Sequence, residues 1–185
     1  MKKLVVFLIL LLLVGAIILS RDKEKGTEEV RNLYQSETFN LSLSYPSNYF
    51  IGFQETFEGE RRQNFVVLAE DTPENRRVFA GEEPGREGPP TITIAVYQNN
   101  LDNYTAKSFV ENTNFSNFKL SDGVITEMSV GGEVGLRYHA TGLYENENVV
   151  IARPDYVYMF TAFYLTLEDE ILKNFESLLE SIKFD

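Results

Sequence analysis

The amino-acid sequence predicts an α+β domain, a mainly antiparallel sheet covered by helices. Three observations predict it. The run from Tyr156 to Leu165 has nine apolar or aromatic residues among ten. It is too short to span a membrane and too aromatic for a loop, so it reads as a strand buried on both faces in the middle of a sheet. Ahead of it, short stretches alternate apolar and polar side chains and are joined by Pro, Gly and Asn turn signals. Behind it, Ile171, Leu172, Phe175, Leu178, Leu179 and Ile182 recur at helical spacing.

Length and composition bound the rest. With 185 residues the chain is one domain plus appendages, and its 43% hydrophobic content is enough for a sizeable core without staples. There is no cysteine, which excludes disulfides, thiolate metal sites and a cysteine nucleophile. The net charge of −11 is unevenly placed: residues 1–25 carry five Lys/Arg and two Asp/Glu, leaving −14 on the remainder. Such an acidic domain repels nucleic acid and anionic lipid headgroups, so no nucleic-acid partner is expected.

At the N-terminus, Lys2 and Lys3 precede an unbroken apolar run from Leu4 to Leu19, followed by the charged stretch from Arg21 to Lys25. Sixteen helical residues reach roughly 24 Å, a little short of a bilayer core of about 30 Å, and the stems of Lys3 and Arg21 can snorkel across the difference. A small-x-small cleavage pattern is missing, with bulky Ile18 two before Ser20. The reading is a retained single-pass anchor over residues 1–20, contacting membrane through residues 4–19. The signal-like start places the N-terminus in the cytoplasm and the following domain outside. Residues 21–37 read as a charged stalk, partly helical after Thr27, and residues 38–185 as the globular domain.

Within that domain, Phe39, Leu41, Leu43 and Tyr45 alternate with polar residues as a half-buried strand. Pro46-Ser47-Asn48 turns the chain into a partner strand from Tyr49 to Glu55. Phe65 to Leu68 is a further strand. The connection 71–90, holding Pro73, Pro84, Pro89, Pro90, Gly81, Gly85 and Gly88, reads as long and structureless. Ile92, Ile94 and Val96 alternate as the next strand. Asp102 or Asn103 caps a short helix bearing Ala106, Phe109 and Val110. Val124, Met128 and Val130 mark a strand, Gly131-Gly132 a hairpin turn, and Val134 to Thr141 the returning strand. Val149 to Ala152 and the central strand follow. The last helix carries Glu168, Asp169 and Glu170 in its first turn, where carboxylates oppose the helix dipole.

With the strands placed, the stretch Phe39-Asn40-Leu41-Ser42-Leu43-Ser44-Tyr45-Pro46-Ser47-Asn48-Tyr49-Phe50 resembles the opening of PsbP-like domains, and Leu179-Glu180-Ser181-Ile182-Lys183-Phe184 resembles their close. The resemblance covers roughly residues 38–185 and extends to the wider group containing DcrB-like periplasmic proteins. It implies an α/β/α sandwich that is extracytoplasmic, non-enzymatic and engaged with other proteins.

Candidate chemistry is sparse. His139, the single histidine, shares a strand face with Arg137 and Thr141 and reads as a surface or half-buried polar residue. No nucleophile elbow, phosphate-binding loop or dinucleotide fingerprint occurs. No catalytic, cofactor-binding or metal-ligating residue is predicted. The predicted recognition element is the loop Thr72–Pro90, longer than joining two strands requires. It sets Arg76, Arg77 and Arg86 against Glu74, Glu82, Glu83 and Glu87 around one exposed aromatic, Phe79. The first reading is therefore a membrane-tethered, extracytoplasmic, non-enzymatic module contacting an unknown protein. A metal-dependent hydrolase using clustered carboxylates, and a structural envelope protein without a specific ligand, are the alternatives.

Overall fold

The central strand of the sequence is also the central strand in space. The computed structural model describes residues 30–85 and 87–185. Its main sheet has seven antiparallel strands: β3 (Tyr49–Phe57), β4 (Gln63–Glu70), β5 (Thr91–Gln98), β9 (Tyr156–Tyr164), β8 (Glu145–Ala152), β7 (Glu133–Thr141) and β6 (Thr126–Val130), adjacent in that order. β9 has three strands on either side, and its burial is near-continuous because helices or a second sheet cover both of its faces. A small antiparallel sheet places β2 (Leu41–Pro46) between β1 (Arg31–Ser36) and β10 (Lys183–Phe184).

Strand alternation sorts the core into two layers. One face of the main sheet presents Leu68, Ile92, Ile94, Ile151 and Phe160 to the small sheet and the C-terminal helix. The other presents Ala95, Tyr97, Val150, Val157 and Met159 to the helix Ala106–Asn112 and a 3₁₀ turn at Phe118–Leu120. Three α-helices stand among the described residues: α1 (Pro73–Phe79), α2 (Ala106–Asn112) and α3 (Glu170–Glu180). In α3, Ile171, Phe175, Leu178 and Leu179 are buried, as their spacing predicts. The β6–β7 turn uses Gly131 and Gly132 at φ 58° and 85°, the left-handed pair a two-residue hairpin requires.

Four expectations need correction. First, the end of the predicted stalk 21–37 is a strand: Arg31–Ser36 pairs along β2, and Tyr34 is buried. Only one side chain of β1 enters the core, so its sequence carries no alternation to read. The compact unit accordingly begins at Arg31 rather than at residue 38. Second, Tyr49–Phe57 does not pair with Leu41–Pro46; the turn at 47–48 passes the chain from the small sheet to the edge of the large one, where β3 pairs with β4. Third, α2 is capped by Thr105, not Asp102 or Asn103. The Thr105 side chain accepts from the Ser108 N–H while Ser108 Oγ accepts from the Thr105 N–H. Fourth, the 71–90 connection contains α1. The predicted anchor 1–20 and the stalk up to residue 29 lie outside the described residues. Among those described, no helix is long and apolar enough to cross a membrane.

Candidate functional site

The connection from Glu70 to Thr91 is built from its own sequence signals. Thr72 caps α1, its Oγ1 accepting from the Asn75 N–H at 3.1 Å, and Pro73 opens the helix where a missing N–H costs nothing. Glu74 in the first turn and Arg76 and Arg77 in the last complement the helix dipole.

The side chains expected to meet a partner are instead largely engaged within the domain. Arg76 donates to both Asp71 carboxylate oxygens, Nε to Oδ1 at 2.5 Å and Nη2 to Oδ2 at 2.7 Å. Those hydrogen bonds hold the Asp71 carboxyl below its ordinary value. The same guanidinium stacks over Phe50 at 4.6 Å from the ring centroid. Arg77 Nη2 lies 2.9 Å from Glu83 Oε1. Phe79, expected as an exposed anchor, packs edge-on against Phe50 and lies over Gly52, filling the space a side chain there would take. Its aromatic surface is thus part of the fold. Glu82 and Glu87 are exposed, and Arg86 lies outside the described residues.

What the connection leaves open is a groove of about 510 Å³. Glu74, Asn75 and Val78 of α1 form one wall; the segment 87–90 and Tyr144, from the β7–β8 turn, form the other. The Tyr144 hydroxyl donates to the Gly88 carbonyl at 2.5 Å and so holds the second wall together. Of the described charged and aromatic residues expected in a recognition loop, Glu74 and Glu87 line it. Asn75 and Val78, inside the expected loop but not singled out in it, and Tyr144, outside it, also line the groove. The Thr72-Pro73 start signal could have revealed the helix, and with it the shared face of residues 74, 75 and 78. Nothing local predicts Tyr144, which arrives by strand pairing.

Beneath this end of the sheet lies a buried polar ladder. Thr161 Oγ1 donates to Asn148 Oδ1 at 2.9 Å, and Asn148 Nδ2 donates to Asn146 Oδ1 at 2.9 Å. These groups satisfy one another, as burial demands.

The other candidates resolve into structural roles. His139 is half-exposed, with Nε2 2.7 Å from Glu145 Oε2. Arg137 bridges β7 to its neighbours through Glu147 at 2.5 Å and Glu176 of α3 at 2.6 Å. A shallow hollow of about 190 Å³ lies beside these residues. Asp169 directs its carboxylate not into α3 but back to the preceding turn. It accepts from the N–H groups of Leu165 at 2.7 Å and Thr166 at 3.1 Å, which depress its pKa. Among the described residues, no group of three or more His, Asp or Glu side chains is placed to hold a metal ion.

Comparison with known proteins adds little to this geometry. No family model matches the chain, and a search of curated proteins finds no match. Two solved structures are similar in course. The solution structure of cyanobacterial PsbP (CyanoP) from Synechocystis sp. PCC 6803 shares 12% identity over 88% of this chain and 96% of that one, with a TM-score of 0.49. A crystal structure from Bacteroides thetaiotaomicron VPI-5482 shares 11% identity over 83% of this chain, with a TM-score of 0.47. The alignment covers 48% of that chain, so this protein spans about half its length. At these TM-scores neither likeness carries an argument about function.

Proposed function

We propose that this protein is a membrane-tethered, extracytoplasmic, non-enzymatic module of PsbP-like type that binds another protein through the groove beside α1. The observation that carries the reading is the groove itself. It has a rigid helical wall, an opposite wall stiffened by Pro89 and Pro90, and a lining that mixes the apolar Val78 and Tyr144 with Glu74 and Glu87. Prolines and a capped helix reduce the entropy lost when a partner docks. The resemblance of residues 39–50 and 179–184 to PsbP-like domains supports the same class. The apolar run 4–19 supports the tether, and the signal-like start supports an outside domain.

The test places a photo-reactive side chain at Val78 or Tyr144 and, as control, at Val134 far from the groove, each in the full chain in its native membrane. A discrete adduct formed from the groove positions and absent from Val134 is expected. Identical patterns at all three positions would remove the groove from any role in recognition. Protease added to intact cells, followed by sequencing of the mature N-terminus, checks the tether. The expected result is a digested domain and a chain that retains residues 1–20.

A further inference from the structure

The main sheet ends, on one side, in a rim of leucines that the fold does not use. Leu143 is 73% exposed, Leu165 61% and Leu167 79%. The register that pairs Glu145 with Tyr164 puts Leu143 two residues beyond one partner and Leu165 and Leu167 one and three beyond the other. The three therefore belong to one corner of the sheet. A run of exposed large apolar side chains at one place marks a contact surface more than scattered ones do.

Strand pairing traces a continuous line along this end of the molecule. Arg31 pairs with Pro46, which turns into Tyr49; Tyr49 pairs with Glu70, Ala69 with Thr91, Thr91 with Phe163, and Tyr164 with Glu145. The chain thus enters the domain, at Arg31, on the same end that bears the leucines. The ten residues from 20 to 29 can span at most roughly 35 Å. An end held that close to an attachment point meets the attached surface at an effective concentration of about millimolar, so a weak contact of three side chains is enough to be occupied.

We infer that Leu143, Leu165 and Leu167 enter the surface of the bilayer to which the N-terminal segment ties the chain, an inference that rests on the tether proposed above. Leucine side chains standing free of the fold gain by leaving water for the acyl boundary. The carboxylates beside them, Glu145, Glu168 and Glu170, repel anionic headgroups. The contact is therefore with a zwitterionic lipid surface and weakens as anionic lipid is added. The opposite end of the sheet carries exposed Leu101 and Val134, which the same geometry turns away from the membrane.

The chain has no cysteine, so single cysteines report cleanly. Leu143→Cys, Leu165→Cys and Leu167→Cys, with Leu101→Cys and Val134→Cys as controls, are each labelled with an environment-sensitive fluorophore. The full chain is reconstituted in phosphatidylcholine vesicles whose acyl chains carry a quencher. The rim probes are expected to shift to the blue and to be quenched severalfold more than the controls, and the difference should shrink when phosphatidylserine is included. Rim probes quenched no more than the controls, in a chain that still floats with the vesicles, would overturn the proposal and leave the tether standing. A chain that does not float overturns both. Rim probes shielded from an aqueous quencher yet blind to the lipid-borne one would assign the rim to a protein, a second copy included, and overturn it as well.

Discussion

Gly52 shows how one residue sets the shape of the candidate site. It sits where the β3–β4 register slips between Ile51 and Phe53, and a Cβ built there would lie 2.7 Å from the Phe79 ring. The missing side chain lets α1 seat its terminal aromatic on the edge strand and so fixes the helical wall of the groove. Because the obstruction is the root of a rigid ring, the clash cannot be relieved by a small rotation. Gly52→Ala is expected to cost about 1–3 kcal/mol, the range for overpacked sites. Combining it with Phe79→Ala should recover part of that loss, as non-additivity in a denaturation double-mutant cycle. Simple addition of the two effects would show that the ring does not lie where the glycine requires it.

Among the elements, α3 has the clearest relation between sequence and energy. Its buried side chains face the shared core of the two sheets, and Phe175 at its middle is fully buried. Phe175→Ala is expected to cost about 3–5 kcal/mol, since it removes transfer energy and leaves a cavity. A chemical-denaturation midpoint equal to that of the unmodified chain would contradict the packing. The periodicity of α3 was readable because one stripe of a helix meets one core. β1 is the reverse case. Leu33 is 69% exposed and Tyr34 is 7% exposed, so the strand shows a single buried position and no pattern. α1 went unread for another reason: no residue of it is buried, and its signals lie in capping rather than in hydrophobic spacing.

For the whole molecule, the position of β1 makes a direct prediction about boundaries. A chain starting at residue 38 exposes the edge of β2 and loses the buried Tyr34, together with the Arg31 bonds to Ser44 and Ser177. It should unfold at lower denaturant than one starting at residue 30; equal midpoints would show that β1 adds nothing. A second prediction concerns alkali. Burial pushes the phenols of Tyr97 and Tyr158 up from 10.0 to about 12 and raises that of Tyr138 as well. Between these values the unfolded chain has lost protons that the folded chain still holds, so stability falls as pH rises. The contribution is full below pH 10 and is lost as pH approaches about 12, at up to about 1.4 kcal/mol per pH unit for each phenol. Phenolate absorbance followed alongside unfolding should show these tyrosines titrating only as the fold is lost. Free titration near pH 10 of every tyrosine, in a still-folded chain, would contradict their burial.

Local patterns in the chain specify the α+β class, the central strand from Tyr156, the terminal helix, the Gly131-Gly132 hairpin and the acidic character of the domain. Each of these is written in neighbouring residues, through period, turn chemistry or charge, because local geometry suffices to produce it. Which strand pairs with which, where the domain begins and what the Glu70–Thr91 connection offers follow only from contacts between distant segments. Pairing across the sheet brings Tyr144 to Gly88 from 56 residues away. Packing on β3 turns Phe79 from an apparent anchor into part of the core's edge, and ion pairs within the connection occupy Arg76 and Arg77. These outcomes depend on contacts between segments distant in sequence, and no local pattern encodes the partner a side chain will meet.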